Sequence, residues 1–241
     1  METLIFNATT AGLMVLMFKG GLALLGEDTL RQRRIPWAAV GLTTLALTAV
    51  AVQFLWSGAM DAFDSDPAKS GWWRVLTSVF MQNGGLLGGA WNIATLAVIA
   101  ALAEWLWGGP VMLGLFLAGI LLPEHLDALF GLGGHHSTDP RNFAGSSGAT
   151  YFLGATLAAA LLLHVLRSGG AKARTRTGTT AGTKDALLAL AVPALGLTLW
   201  FAQSNGHGLV SAYGFALGAA CAIAGLPGRV GRPARGGRAM V

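Results

Sequence analysis

Asn92, Ser147 and His207 each stand in the opening turns of a long apolar run, where polar side chains are scarce and costly. Ser147 lies in Gly145-Ser146-Ser147-Gly148 at a loop-to-helix junction. The free backbone N–H groups of a helix start can stabilise an anion there, and the flanking glycines let another chain approach the hydroxyl. His207 lies in Asn205-Gly206-His207-Gly208, and its run continues to Gly214 and Gly218, a small-xxx-small pair that lets helices pack closely. Ser147, Tyr151 and Gly154 share one helical face at i, i+4 and i+7. If that face meets the glycines of the His207 helix, the imidazole reaches the serine hydroxyl, takes its proton and returns it to a leaving amine. That is nucleophilic catalysis by a Ser-His dyad. Taken singly, Ser147 reads as an N-cap and His207 as a boundary residue; their shared depth and glycine setting point to chemistry.

The elements that hold these residues must be membrane helices. Of 241 residues, 54% are apolar and only 11% charged, against about a quarter charged in a soluble domain. Apolar runs recur over about 35–56, 86–107, 111–122, 147–166, 186–202 and 207–226, near the ~20 residues that cross a bilayer. They lack the alternation of barrel strands, so the expected class is an all-α, six-span membrane protein. The third run is short because Pro123, Glu124, His125 and Asp127 interrupt it. Tryptophans 37, 56, 72, 73, 105, 107 and 200 sit near span ends, as interfacial rings do.

Net charge is +5, but the cations form three short clusters between spans, which argues against nucleic acid as a partner. Arg31, Arg33 and Arg34 precede the first span, Arg167, Lys172, Arg174, Arg176 and Lys184 follow the fourth, and Arg229, Arg232, Arg235 and Arg238 follow the sixth. Six spans put all three clusters on one face, which the positive-inside rule makes cytoplasmic. The opposite face receives Asp61, Asp64, Asp66, Glu124, Asp127 and Asp139, with Lys69, Arg74 and Arg141 as its cations. The expected location is a cell membrane, with both termini cytoplasmic. The stretch 4–25 is apolar enough to span but carries Lys19, which at mid-bilayer costs roughly 2.5–3.5 kcal/mol. It is read as an interfacial helix, with a seventh span as the alternative. The organisation is therefore an N-terminal cytoplasmic or interfacial segment (1–34), a membrane domain (35–227) and a basic tail (228–241). The 168–184 connector reads as a flexible linker.

Other candidates are plainer. Glu124, His125, Asp127, His135, His136 and Asp139 match no standard zinc spacing and read as a solvated loop, so no metal or cofactor is assigned. Glu104, near the cytoplasmic end of its helix, is expected to have a structural role, satisfied by hydration or by a helix-terminus contact. The single cysteine, Cys221, excludes an internal disulfide.

Over about residues 72–218 the chain resembles the rhomboid intramembrane serine proteases. The resemblance rests on Trp73-Arg74 followed by Leu76-Thr77 and Phe80, on Asn92, on Glu104 with Gly108, on Gly145–Gly148 followed by Tyr151, and on His207 with Gly214 and Gly218. It implies a six-helix bundle in which Ser147 is the nucleophile and His207 its base. Asn92 and the backbone at Ser147 would be oxyanion donors, with Tyr151 packed beneath the histidine. Trp73 and Arg74 would seat the outer loop at the interface. The chain departs from the family's His-x-x-x-Asn pattern, with Gly88 where the histidine is usual. Losing one such donor costs about 10²–10³ in rate, and Gln82 or Asn83 are the candidates to replace it. The outer loops read as short.

The implied function is hydrolysis of a peptide bond in or beside a transmembrane segment of a membrane-protein substrate, in the bilayer and without a cofactor. The first alternative is a catalytically weak or inactive rhomboid-like protein that binds transmembrane segments. The second is a small transporter, disfavoured because no pair of interrupted helices recurs in two halves.

Overall fold

The computed structural model describes residues 2–27, 30, 33–131, 144–168 and 181–226. Arg31, Lys172, Arg174, Arg176, Arg229, Arg232, Arg235, Arg238, His135, His136, Asp139 and Arg141 lie outside the described residues, as do most of the 168–184 connector and the tail. Among the described residues every regular element is a helix: α1 (Glu2–Leu25), α2 (Trp37–Leu55), the short α3 (Ala59–Phe63) and α4 (Trp73–Thr77), α5 (Gly85–Trp107), α6 (Gly109–Leu129), α7 (Ser147–Ser168), α8 (Ala181–Gln203) and α9 (Gly206–Ile223).

The bundle is organised around α7. Every residue from Ala149 to Leu161 is buried, because the run ATYFLGATLAAAL is mostly small and lets α1, α5, α6, α8 and α9 all pack on it. Helix α2 stands outside this ring against α5 and α6. Lipid-facing side chains such as Phe54, Leu55, Leu86, Leu87 and Phe201 are exposed, as a bilayer solvent permits.

Among the described residues seven helices, not six, are long and apolar enough to span. The added one is α1, and it lies in the bundle rather than beside it. Leu13, Met14, Met17 and Leu25 are buried, near the site end Thr10 meets the starts of α7 and α9, and at the other end Gly21 abuts Leu102 and Leu157. Its 24 residues measure about 36 Å, so it runs through the thickness of the bundle. Lys19 does not forbid this. It is on the exposed side, six residues or about 9 Å from the helix end, within reach of the interface for a snorkelling ammonium.

Two further expectations change. Helix α6 continues through Pro123 to Leu129, so the third span is not cut short. Trp107 is a core residue, 2% exposed, with Nε1 donating to Thr156 Oγ1 at 3.0 Å; it is not an interfacial ring. Glu104 meets its expectation: Oε2 accepts the Ala39 N–H at 2.7 Å, placing a carboxylate on the free donors and positive dipole end of α2. Gly108, with φ +81°, both ends α5 and begins α6, a turn that L side chains resist.

Candidate active site

The structure brings Asn92 and Ser147 to one corner. Gly145 has φ +127°, and its N–H donates to the Ser78 carbonyl at 2.9 Å. A Cβ there would lie 3.5 Å from Asn92 Nδ2 and 3.9 Å from Ser147 Oγ. Glycine is required here by the backbone, since φ +127° is strained for any L side chain. Asn92 is two turns into α5, about 10 Å, whereas Ser147 is the first residue of α7. Both lie beside Gly145, whose turn is tied to the Ser78 carbonyl ahead of α5. The serines of the motif differ: Ser146 is fully buried with an unpaired Oγ, whereas Ser147 is half-buried. A Cβ added at Gly148 would meet open space. Ser147 is therefore the hydroxyl on the accessible side.

Asn92 is held by Gln82, whose Oε1 accepts from Nδ2 at 3.1 Å. Gln82 is fixed in turn by Gln53, which donates to its carbonyl at 3.1 Å and accepts its N–H at 2.9 Å. Gln82 thus turns an acceptor, not a donor, toward Asn92, and its Nε2 lies 3.4 Å from the Phe80 carbonyl. It orients the asparagine amide and does not stand in for the histidine missing at Gly88. A Cβ at Gly88 would meet nothing within 4 Å.

The His207 ring packs at a tilt against Tyr151, ring centroids 4.7 Å apart at 59°, one turn along α7 from Ser147. Among the described residues no hydrogen bond joins Ser147 to His207. The imidazole instead has Nδ1 3.2 Å from Asn205 Oδ1, and the same oxygen caps α9 by accepting the His207 N–H at 3.1 Å. Asn205 Nδ2 donates to Thr10 Oγ1 at 2.8 Å, and the Tyr151 hydroxyl donates to the Thr10 carbonyl at 2.7 Å. The face of α7 carrying Tyr151 and Gly154 packs on α1, where a Cβ at Gly154 would strike Met17.

The glycines of α9 do approach α7, though at a neighbouring stripe. A Cβ on Gly214 would clash with the Phe152 carbonyl oxygen, and one on Gly218 would come within 2.5 Å of Thr156 Cα. This backbone contact puts the start of α9 beside the start of α7.

The loop over the site end is tied by charge. Arg74 NH1 donates to the carbonyls of Asp61 (2.9 Å) and Asp64 (3.2 Å) and to Asp64 Oδ1, while Lys69 pairs with Asp61 and Asp64. The Lys69 ammonium lowers the Asp61 carboxyl below its ordinary 3.8, and the two carboxylates raise Lys69 above 10.5. Trp72 and Trp73 project outward, 78% and 47% exposed. Residues 56–84, which read as a short loop, fold into α3 and α4 with Thr77 Oγ1 donating to the Phe63 carbonyl. Arg74 ties this loop together through its contacts with Ser70, Asp61 and Asp64.

Thr10, Gln53 and the Asn205 side chain escaped the sequence reading. Asn205 carried a signal, being an N-cap residue two before a histidine. Thr10 and Gln53 carried none, since their contacts depend on helix packing. Comparison with protein-family models, with curated proteins and with solved structures finds no match to this chain.

Proposed function

We propose that the protein is a rhomboid-type intramembrane serine protease that hydrolyses peptide bonds in or beside transmembrane segments of other proteins. The observation that carries this is the Gly145 corner, where the Asn92 amide and the Ser147 hydroxyl converge beside a histidine stacked one turn below. Ser147 Oγ attacks the scissile carbonyl and its proton passes to His207 Nε2. The developing oxyanion takes the second Asn92 N–H, the first being held by Gln82, and the backbone N–H at the start of α7. Collapse of the intermediate breaks the C–N bond, and His207 gives the proton to the leaving amine. Water, deprotonated by the same imidazole, then hydrolyses the acyl-enzyme. The cationic clusters assign the α1–α2 connection to the cytoplasm, which puts the site and, with α1 spanning, the N-terminus on the opposite face.

A second reading, a rhomboid-like protein that binds transmembrane segments without cutting them, is favoured by the missing Ser147–His207 hydrogen bond and by Gly88. Fluorophosphonate labelling of the purified protein separates the two. Labelling that vanishes in Ser147→Ala and His207→Ala but persists in Ser146→Ala is the expected result. Labelling that persists in Ser147→Ala overturns the nucleophile; no labelling and no cleavage of transmembrane substrates replaces the protease by the binder.

A further inference from the structure

Asn205 is 1% exposed, and its amide orientation is forced by its neighbours. The His207 backbone N–H can only donate, so the amide atom 3.1 Å from it must be the oxygen. The Thr10 hydroxyl proton is committed to the Phe6 carbonyl at 2.7 Å, so Thr10 Oγ1 faces Asn205 as an acceptor and takes the NH2 group. With Oδ1 fixed as an acceptor 3.2 Å from Nδ1, the neutral imidazole must carry its proton on Nδ1. Nε2 is then left as the basic nitrogen. Ring rotation is limited from the other side by Tyr151, whose hydroxyl ends on the Thr10 carbonyl. Two groups grip the imidazole, and one residue of α1 anchors both.

We propose that Asn205, anchored by Thr10, is a positioning residue that holds His207 in the Nδ1–H tautomer and extends the Ser147–His207 pair to a Ser-His-Asn set. The proposal rests on the dyad reading for its catalytic consequence, but the tautomer itself does not. As Nε2 takes the serine proton, the amide oxygen accepts from Nδ1–H of the imidazolium. A neutral amide stabilises that cation less than a carboxylate would, so the expected contribution is smaller than the factor of about 10⁴ seen when the orienting carboxylate of a Ser-His-Asp site is replaced.

The test uses full-length protein with 15N-labelled histidine rings, the His207 signals being assigned by their loss in His207→Ala. Asn205→Ser keeps an N-cap oxygen for α9 but is too short to serve Nδ1 and Thr10 together, whereas Asn205→Asp keeps both acceptor contacts. The expected results are a single Nδ1–H tautomer in the wild type and in Asn205→Asp, a mixture in Asn205→Ser, and fluorophosphonate labelling about ten- to a hundredfold slower in Asn205→Ser alone. Unchanged tautomer and rate in Asn205→Ser overturn the proposal. Should that variant fail to fold, Asn205→Gly, tolerated at an N-cap and offering no acceptor to Nδ1, takes its place; a wild-type tautomer there is equally fatal. If the wild type does not label at all, the dyad reading falls while the ring signals still decide the role of Asn205.

Discussion

At the scale of single residues, the site is a set of side chains each turned by a neighbour: Gln53 fixes Gln82, Gln82 turns Asn92, and Thr10 turns Asn205 and Tyr151. Such buried polar chains fix geometry when every member is satisfied. Gln82→Leu is therefore expected to release the Asn92 amide and slow labelling about 10- to 100-fold, within the loss of a whole oxyanion donor, with thermal stability in detergent changed by less than about 2 kcal/mol. Gly88→His addresses the opposite question. The added side chain enters open space, so the protein should fold as before, and cleavage should rise if oxyanion support limits the rate. A rate unchanged by a well-folded Gly88→His would show that Asn92 and the backbone suffice. Ser147, His207 and Asn92 stand out in the sequence as candidates because each is a polar residue placed where an apolar one is expected. Their orienting partners do not, because Gln53 and Thr10 look like ordinary tolerated polar residues until loop residues 29 and 195 positions away are brought against them.

Among the elements, α7 and α9 are locked together by backbone approach. Gly214→Val would drive its side chain into the Phe152 backbone, which cannot move without shifting the Ser147 helix. The expected cost is about 3 kcal/mol or more, read as a lowered midpoint of thermal unfolding together with loss of labelling. The loop carrying α3 and α4 is held differently, by Arg74, Lys69, Asp61 and Asp64. Because Asp61 titrates below its unfolded value, its contribution is present above pH 3.8 and is lost as pH falls further. Lys69 titrates above its unfolded value, so its contribution is present below pH 10.5 and is lost as pH rises past it. Proteolysis of this loop should accelerate at both extremes, and Lys69→Met should accelerate it at neutral pH. The helix starts near Ile35, Leu86, Ser147 and His207 followed from apolar runs alone. Pro123 misled because a proline inside a membrane helix is tolerated where neighbours satisfy the freed carbonyl.

For the whole molecule, the placement of α1 decides the topology. Lys19 pointed to the interface by its average cost, and the side of the helix on which it falls was not visible without the bundle. Seven spans, as against six, would put the two termini on opposite faces. Tags at Met1 and Val241 should be accessible from opposite sides of sealed vesicles; access from one side would restore the six-span arrangement. The same helix has a consequence in time. The Thr10–Asn205 hydrogen bond closes across 195 positions, joining the earliest of the described helices to the latest. On the proposed reading, a chain still being synthesised holds Ser147 in the bilayer before α9 exists, and during that interval the hydroxyl has no histidine beside it. Hydrolytic competence would then arrive only when α9 docks, so an unfinished copy would have no means of cutting the segments inserted beside it.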